Sequence, residues 1–248
     1  MKHFSYNLSG FDTELFGYKV AKIDAIHSPA NIPLLISDLK KNEIMYATFR
    51  LPAHEFPMIH GLEQSGFLLV DGLISLKLKY AEQVRGGCCM DDTSFFEDNQ
   101  DYSIIEATEK DLNTLMDIAR NSFFFNRPYN DPFIPKEKAD ELYARWIENS
   151  VKGKVADSVL VYKEKDTILG FITMQKKGHI PLIAVDKEKR GKGIAKKLLN
   201  AALQKIEEWF VEEVEIETQI QNIPALRAYQ ASGFKISGSY LTFRWLNK

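Results

Sequence analysis

Residues 183–203 read IAVDKEKRGKGIAKKLLNAAL. An apolar segment typical of a strand passes through a charged turn into an amphipathic helix, with Gly191 and Gly193 in the turn. Glycines in this place let backbone N–H groups point outward without interference from a Cβ atom, and a helix start adds partial positive charge. The stretch therefore predicts a binding site for a phosphate or a pyrophosphate.

Two familiar phosphate-binding loops do not fit this turn. A Walker A loop continues from Gly-Lys into Ser or Thr, whereas Gly193 follows here. A dinucleotide-binding fingerprint needs a third glycine where Lys196 stands, inside a unit of parallel strands. The three apolar segments between residues 158 and 185 are joined by short turns, which predicts an antiparallel meander instead. A solvated cationic turn that caps a core helix is the alternative to a phosphate site.

Length and composition limit the classes of protein to consider. The chain has 248 residues, of which 45% are hydrophobic and 27% charged, and its formal net charge is −2. This balance argues against nucleic acid or an anionic membrane as a partner. No apolar run approaches the ~20 residues that span a bilayer, and the first residues show no secretory signal. We therefore expect a cytoplasmic globular protein that binds neither nucleic acid nor membrane.

One long segment without a clear period divides the chain. It contains the adjacent Cys88 and Cys89, whose position disfavours a disulfide framework and fits a reducing compartment. We predict a linker over residues 83–100. It separates an N-terminal α/β domain, residues 1–82, from a larger domain, residues 101–248.

Local patterns predict the main helices and strands. In the N-terminal domain, residues 18–26 and 68–80 alternate as strands do, and residues 30–42 are typical of a helix. After the linker, Thr108 and Asp111 form a capping-box pattern at the start of a helix. The later elements are a helix over 135–153, the meander, a helix from Ile194 whose apolar face continues to Phe210, a strand over 213–220, a short helix over 223–232 and a strand over 239–246.

The pattern Arg190-x-x-Gly193-x-Ala195, after a meander strand that ends in Val185, resembles motif A of the GNAT superfamily of acyl-CoA N-acyltransferases. In that family the backbone amides of the loop hold the pyrophosphate of acetyl-CoA, and the preceding strand bonds the pantetheine arm. The resemblance implies an α/β GNAT fold with a mixed, mostly antiparallel sheet, beside the smaller N-terminal α/β domain. The residues that it assigns to acetyl-CoA are Ile183, Ala184, Val185, Arg190, Gly191, Lys192, Gly193, Ile194, Ala195 and Lys196.

Residues 216–234 are similar to a later segment of the same family. The resemblance implies that Asn222 bonds the pantetheine region and that Ala225 and Leu226 line the CoA channel. It also places Tyr229 opposite the thioester sulfur. When an amine attacks a thioester, the departing thiolate needs a proton, which a phenol with a pKa of about 10 can supply. A tyrosine that only packs in the core is the alternative.

A closer resemblance covers most of the chain. GFDTELFGYKVAKI, residues 10–23, is similar to the opening of the dTDP-fucosamine acetyltransferases. NSFFFNRPYNDP, residues 121–132, and YARWIENSVKGK, residues 143–154, are similar to that family's stretch between its first helices. The resemblance implies direct transfer, in a ternary complex, of an acetyl group from acetyl-CoA to the 4-amino group of a dTDP-linked 4-amino-4,6-dideoxyhexose.

Candidate residues for the acceptor lie in segment 121–132. Phe123, Phe124, Phe125 and Tyr129 offer rings that can stack on a thymine or a sugar, and Arg127 can meet the nucleotide diphosphate. Packing in the core is the alternative for the three phenylalanines. Glu217, on the strand after the motif A helix, is the candidate general base, with a solvated strand carboxylate as an equally good interpretation. The resemblance implies acetyl-CoA as the acyl donor. The five histidines show no metal-ligand spacing, so we predict no metal.

Two other functions remain open at this point. One is a GNAT enzyme that acetylates a peptide, protein or small-molecule amine, and the other is a CoA-binding module without activity. The additional N-terminal domain favours the nucleotide sugar, because a nucleotide-linked substrate needs more enclosing surface than an extended peptide. The exact sugar, the length of the acyl chain and the formation of a homodimer are left open by the sequence.

Overall fold

The computed structural model describes residues 3–80 and 102–247. The predicted linker and its Cys88 and Cys89 lie outside the described residues, and the predicted domain limits stay a prediction. Contacts divide the chain into two compact units. The first unit consists of Met1–Ile74, Asn126–Lys138 and Gly238–Lys248, and the second unit consists of Ser75–Phe125 and Ala139–Ser237.

The described helices and strands alternate along the chain. In chain order they are β1 (Phe4–Leu8), α1 (Gly10–Phe16), β2 (Val20–Ile26), α2 (Ile32–Lys41), β3 (Tyr46–Pro52), α3 (Phe56–Gln64), β4 (Leu68–Lys79), β5 (Tyr102–Glu106), α4 (Leu112–Arg120), α5 (Arg127–Asn130), α6 (Lys136–Val151), β6 (Ser158–Glu164), β7 (Thr167–Met174), β8 (His179–Ile180), β9 (Ile183–Val185), α7 (Ile194–Glu207), β10 (Glu213–Gln219), α8 (Ile223–Ala231) and β11 (Lys235–Leu246).

The first unit is an α/β unit with strand order β1-β2-β3-β11-β4. Strands β2 and β3 are parallel, whereas β1 pairs with β2 and β11 pairs with β3 in the antiparallel direction. Ile32, Leu35 and Leu39 recur at helical spacing on α2 and are fully buried, so this face of the helix covers the core. The predicted strands at 18–26 and 68–80 and the predicted helix at 30–42 are confirmed.

A buried ion pair lies inside the first unit. Arg244 donates from Nε and Nη2 to the two carboxylate oxygens of Asp131, at 3.1 and 3.0 Å. The same carboxylate accepts from the Tyr46 hydroxyl at 2.7 Å and from the backbone N–H of Phe133 at 3.0 Å. Burial raises the pKa of the Tyr46 phenol, so the hydroxyl remains a donor at neutral pH. These hydrogen bonds offset the cost of removing the two charges from water, as a buried ion pair requires.

The second unit contains the meander and the glycine turn. Its strands follow the orders β5-β6-β7-β9 and β4-β10-β8. Strand β4 is counted in both units because the division falls between its residues 74 and 75. The predicted capping box at Thr108 is present, and it opens a short 3₁₀ turn, Glu109–Asp111, directly before α4. On α7 the predicted apolar face is buried as far as Ile206, but Phe210 is 94% exposed. The helix ends at Glu207 and Phe210 adopts a left-handed φ of 58°, so the prediction for Phe210 was wrong.

The third strand of the predicted meander divides into two. Strands β6 and β7 pair as an antiparallel hairpin, as predicted. The segment that follows pairs first with β10, through β8, and then with β7, through β9. Pro181 lies at the division, where its missing N–H cannot continue a ladder.

Neither a membrane-spanning helix nor a metal-binding group of side chains is found in the part of the chain that the structure describes. Across residues 3–80 and 102–247, no helix is both long and apolar enough to cross a bilayer. Within the same ranges, no group of three or more His, Cys, Asp or Glu side chains is arranged to hold a metal ion.

Candidate functional site

Strands β9 and β10 separate at the centre of the second unit. Strand β8 pairs with β10 in the parallel direction at only two positions, His179 with Glu215 and Ile180 with Ile216. Beyond Pro181 the chain continues as β9, which pairs with β7 and ends the other sheet. The two strands therefore part after residues 180 and 216, and among the strands of residues 3–80 and 102–247 none pairs with the second edge of β9.

Backbone hydrogen bonds show which groups of β9 point to that edge. The N–H of Thr173 donates to the carbonyl of Leu182, and the N–H of Asp186 donates to the carbonyl of Leu169. In an antiparallel ladder, hydrogen-bonded pairs alternate with pairs that are not hydrogen-bonded. Ala184 lies two residues from each of these bonds, so its backbone groups face β7.

Ile183 and Val185 consequently direct their N–H and C=O groups away from β7. They stand in the register opposite Ile172 and Gly170, at the non-hydrogen-bonded positions. A strand that bonds the extended arm of a ligand through its main chain needs main-chain groups on an edge of this kind. Of the three predicted pantetheine contacts, Ile183 and Val185 can supply them, whereas Ala184 is paired with Phe171.

The glycine turn exposes the start of α7. Gly191 and Gly193 both have φ of 78°, and a Cβ atom at either position would have no neighbour within 4 Å. Gly193 is the N-cap, and no side chain accepts a hydrogen bond there from the first turn of α7. The first N–H groups of a helix have no partner within it, so they can bind an anion. Of the other predicted phosphate residues, Lys192 and Lys196 are exposed, Ala195 is half-buried and Ile194 is buried.

The Arg190 side chain makes hydrogen bonds at both sides of the glycine turn's neighbourhood, to β9 and to the residue after α4. Its Nε donates to the carbonyl of Val185 at 3.2 Å, and its Nη2 donates to the carbonyl of Asn121 at 3.4 Å. The side chain therefore connects the end of β9 with the residue that follows α4. The resemblance implies that Arg190 binds the pyrophosphate. The structure adds its hydrogen bonds to Val185 and Asn121. The other N–H groups of the guanidinium remain available to a ligand.

Asn222 attaches α8 to β10. Its Nδ2 donates to the hydroxyl of Thr218 at 2.9 Å, and its Oδ1 accepts from the N–H of Ala225 at 3.4 Å. Both ends of the amide thus have partners within the chain, and the residue predicted to bond pantetheine also caps the helix. Ala225 and Leu226, predicted to line the CoA channel, are half-buried on the first turn of α8.

Tyr229 is buried on α8. It is 5% exposed, and its ring lies 6.2 Å from that of Phe234, at an interplanar angle of 53°. Burial raises the pKa of the phenol above its ordinary value. The hydroxyl therefore stays protonated at neutral pH, as a hydrogen-bond donor must.

Glu217 shares one face of β10 with two other carboxylates. Val214, Ile216 and Thr218 are buried in alternation with them, so Glu213, Glu215 and Glu217 lie on the opposite side. The three carboxylates line a cleft of about 240 Å³ together with Lys177, Gly178 and His179.

Glu213 and Glu215 each contact a residue of β4. Lys77 pairs with Glu213 at 2.6 Å, and the Ser75 hydroxyl donates to Glu215 at 2.7 Å. Glu217 lies one residue beyond the last pair between β8 and β10, at the point where β9 and β10 part. This position distinguishes Glu217 from the other carboxylates of the cleft as a candidate base.

The three consecutive phenylalanines have different environments. The ring of Phe123 stacks on that of Tyr143 at 4.6 Å and is half-buried. Phe124 and Phe125 are each 45% exposed. The sequence analysis proposed all three rings for the acceptor, with core packing as the alternative. Nothing in the run Phe-Phe-Phe distinguishes its members, so the sequence could not show which rings are exposed.

The remaining acceptor candidates, Arg127 and Tyr129, belong to α5 in the first unit. Arg127 donates from Nη1 to the Tyr46 hydroxyl at 3.0 Å, and its guanidinium carbon lies 5.7 Å from the centre of that ring. This places Arg127 in the hydrogen-bond network of Asp131, and Tyr129 is half-buried. Arg127 and Tyr129 therefore belong to the first unit, and Phe123 belongs to the second.

Three curated proteins are similar to this chain in sequence. Spore coat polysaccharide biosynthesis protein SpsD of Bacillus subtilis is 24% identical over 213 residues, 84% of this chain and 69% of that protein. An N-alpha-acetyltransferase of Sulfurisphaera tokodaii is 30% identical over 139 residues, 55% of this chain and 81% of that protein. The dTDP-fucosamine acetyltransferase of Escherichia coli is 25% identical over 192 residues, 75% of each chain.

Solved structures and family models point to the same fold. A GCN5-related N-acetyltransferase from Sphaerobacter thermophilus superposes with a TM-score of 0.64 at 14% identity, over 98% of this chain and 76% of that one. A family model described as an acetyltransferase (GNAT) domain matches residues 134–247. Together with the 30% identity to an N-alpha-acetyltransferase of which the chain covers 81%, this match shows that the chain belongs to the GNAT family and is an acetyl-CoA-dependent N-acetyltransferase.

Proposed function

We propose that this enzyme acetylates the amino group of a dTDP-linked 4-amino-4,6-dideoxyhexose, by direct transfer in a ternary complex, in the cytoplasm. The observation that carries the proposal is the extent of the similarity. The matches to SpsD and to dTDP-fucosamine acetyltransferase cover 84% and 75% of this chain, too much to lie within residues 102–247 alone. They therefore include part of the N-terminal region, whereas a match over 55% of the chain fits within a GNAT domain.

The donor is held by main-chain groups in this proposal. The N–H groups at the start of α7 bind the pyrophosphate, with Lys192 and Lys196 as exposed cations beside them. Ile183 and Val185 bond the pantetheine arm from the unpaired edge of β9. The thioester then lies where β9 and β10 part.

The chemistry requires one proton acceptor and one proton donor. As the amine nitrogen bonds to the thioester carbon, Glu217 accepts its proton, directly or through a water molecule. The carbon–sulfur bond then breaks, the bonding electrons stay on the sulfur, and the resulting thiolate accepts a hydrogen bond from the Tyr229 hydroxyl. Because burial raises the pKa of Tyr229, the phenol remains protonated at neutral pH, and its full ionisation is disfavoured. We therefore expect the hydroxyl to stabilise the thiolate chiefly as a donor.

The proposal is tested by the choice of acceptor. We expect release of CoA from acetyl-CoA in the presence of dTDP-4-amino-4,6-dideoxygalactose, and a higher melting temperature with dTDP, because a ligand that binds only the folded state stabilises it. Peptides with free N-terminal amines serve as the comparison at equal concentration. If the peptides are acetylated with the higher kcat/KM and dTDP leaves the melting temperature unchanged, the nucleotide-sugar proposal is wrong.

N-terminal acetylation of peptides is the second candidate function. The N-alpha-acetyltransferase of Sulfurisphaera tokodaii supports it, since its 30% identity is higher than the 24% of SpsD and the 25% of the dTDP-fucosamine acetyltransferase. The same competition experiment decides between the two acceptors.

Arg190 gives a prediction for the donor side. We expect Arg190→Ala to raise the KM for acetyl-CoA by roughly tenfold to a hundredfold with a smaller effect on kcat, because it removes charge-assisted hydrogen bonds made in the ground state. Lys187→Ala removes an exposed cation from the same segment and is the matched control. Isothermal titration with CoA measures the difference. Parent-like affinity in Arg190→Ala means that Arg190 has no part in donor binding.

Gly193→Val is expected to weaken CoA binding further. A β-branched residue is strained at φ of 78°, and its side chain would obstruct the approach of a phosphate to the backbone N–H groups. The same titration measures this variant. If it binds CoA as tightly as the parent, the phosphate site does not lie at this turn.

A further inference from the structure

Segment 121–125, which we call the acceptor loop, is held at both ends by side chains from elsewhere in the second unit. At one end, Nε2 of Gln221 donates to the carbonyl of Phe125 at 2.8 Å. At the other end, Arg190 donates to the carbonyl of Asn121 at the longer distance of 3.4 Å. Gln221 lies in the turn between β10 and α8, the helix that carries Tyr229.

One buried polar group of the acceptor loop lacks a hydrogen-bond partner among the described residues. Within the part of the chain that the structure describes, the Ser122 hydroxyl is the one buried side-chain N or O atom without a hydrogen-bond partner. A buried hydroxyl without a partner costs free energy, so it disfavours this conformation of the loop. Contacts from outside the loop must offset that cost. Of the two hydrogen bonds at the ends of the loop, the Gln221–Phe125 bond is shorter than the Arg190–Asn121 bond.

Exposed apolar side chains flank the Gln221–Phe125 bond. Phe124 and Phe125 are both 45% exposed on the loop, and Ile220 and Ile223 are 48% and 47% exposed beside Gln221. A 6-deoxy sugar carries a methyl group in place of a hydroxymethyl group, and a thymine carries another methyl group. Such ligands gain from contact with aromatic and aliphatic surface.

We propose that Gln221 is a positioning residue for the acceptor. Its bond to the Phe125 carbonyl holds the acceptor loop against the turn that starts α8, and it thereby keeps the exposed rings at a set distance from the helix that carries Tyr229. This inference rests on the proposed function in one respect, the assignment of segment 121–125 to the acceptor. Gln221 itself need not touch either substrate.

Gln221→Glu is the sharpest test, because it preserves size and replaces the donating amide nitrogen with an oxygen that repels the Phe125 carbonyl. We expect the KM for dTDP-4-amino-4,6-dideoxygalactose to rise roughly threefold to tenfold, the usual effect of one lost hydrogen bond. The KM for acetyl-CoA and the melting temperature should stay those of the parent. Gln221→Lys restores a donor and should recover much of the loss.

Gln230→Ala is the matched control, since Gln230 is an exposed glutamine on α8. It should leave both KM values unchanged. If Gln221→Glu has the acceptor KM of the parent, or raises the KM for acetyl-CoA instead, the inference is overturned.

Hydrogen–deuterium exchange separates failure of this inference from failure of the proposed function. Without any substrate, we expect amides of residues 121–126 to exchange faster in Gln221→Glu than in the parent and in Gln230→Ala. If the parent does not acetylate the dTDP sugar, the proposed function fails, and the KM comparison is repeated with the peptide amine. Equal exchange in all three proteins shows that Gln221 does not hold the loop, whatever the acceptor is.

Discussion

Tyr229→Phe is expected to lower kcat by roughly 10²–10⁴ and to leave the KM for acetyl-CoA nearly unchanged, because it removes the donor to the leaving thiolate and retains the ring. The variant leaves no cavity beside Phe234, so its thermal melt should match that of the parent. Steady-state kinetics with the acceptor that the parent turns over measures the effect.

Tyr80→Phe provides the control for this result. This substitution also removes a phenol hydroxyl, which donates to the carbonyl of Leu203 at 2.7 Å. Tyr80 has no part in the proposed chemistry. We expect a loss of about 0.5–1.5 kcal/mol in the free energy of unfolding and a normal kcat. If Tyr229→Phe instead behaves like Tyr80→Phe, Tyr229 is a packing residue and the proposed acid must be sought elsewhere.

Asp131→Ala is expected to destabilise the protein by about 3–5 kcal/mol, the usual cost of leaving one member of a buried ion pair without its partner. The Arg244 guanidinium would remain buried, and the Tyr46 hydroxyl would lose its acceptor. Urea unfolding followed by tryptophan fluorescence measures the change, since Trp245 stands next to Arg244 on β11.

Two further variants make the cause of that loss testable. Asp24→Ala removes an exposed carboxylate from β2 and should change the free energy of unfolding by about 0.5 kcal/mol or less. The double variant Asp131→Leu/Arg244→Met replaces the pair with apolar groups and should be more stable than Asp131→Ala. A double variant that is less stable than the single one would contradict the buried-charge explanation.

Features that depend on neighbouring residues were predictable from the sequence. The capping box at Thr108 involves a residue three positions away, and the glycine turn before α7 is a requirement of backbone conformation within a few residues. The resemblance of the motifs to the GNAT family implied that family and an α/β fold with a mixed sheet, and both are confirmed. Residues 179–185 were beyond this reasoning, because an apolar run predicts a strand without indicating that its two halves pair with different partners.

From the sequence alone, periodicity, capping and glycine conformation located the helices, the strands and the glycine turn, because these are properties of adjacent residues. The family and the fold class were implied by the resemblance of the motifs. Which side chains hold the site and which rings are exposed became known only from the folded chain. The Gln221–Phe125 bond joins residues 96 positions apart, and the Arg190–Asn121 bond joins residues 69 positions apart. The exposure of Phe124 and the packing of Phe123 likewise depend on what the fold brings beside each ring, since hydrogen-bond partners and burial are set by folding and not by spacing along the chain.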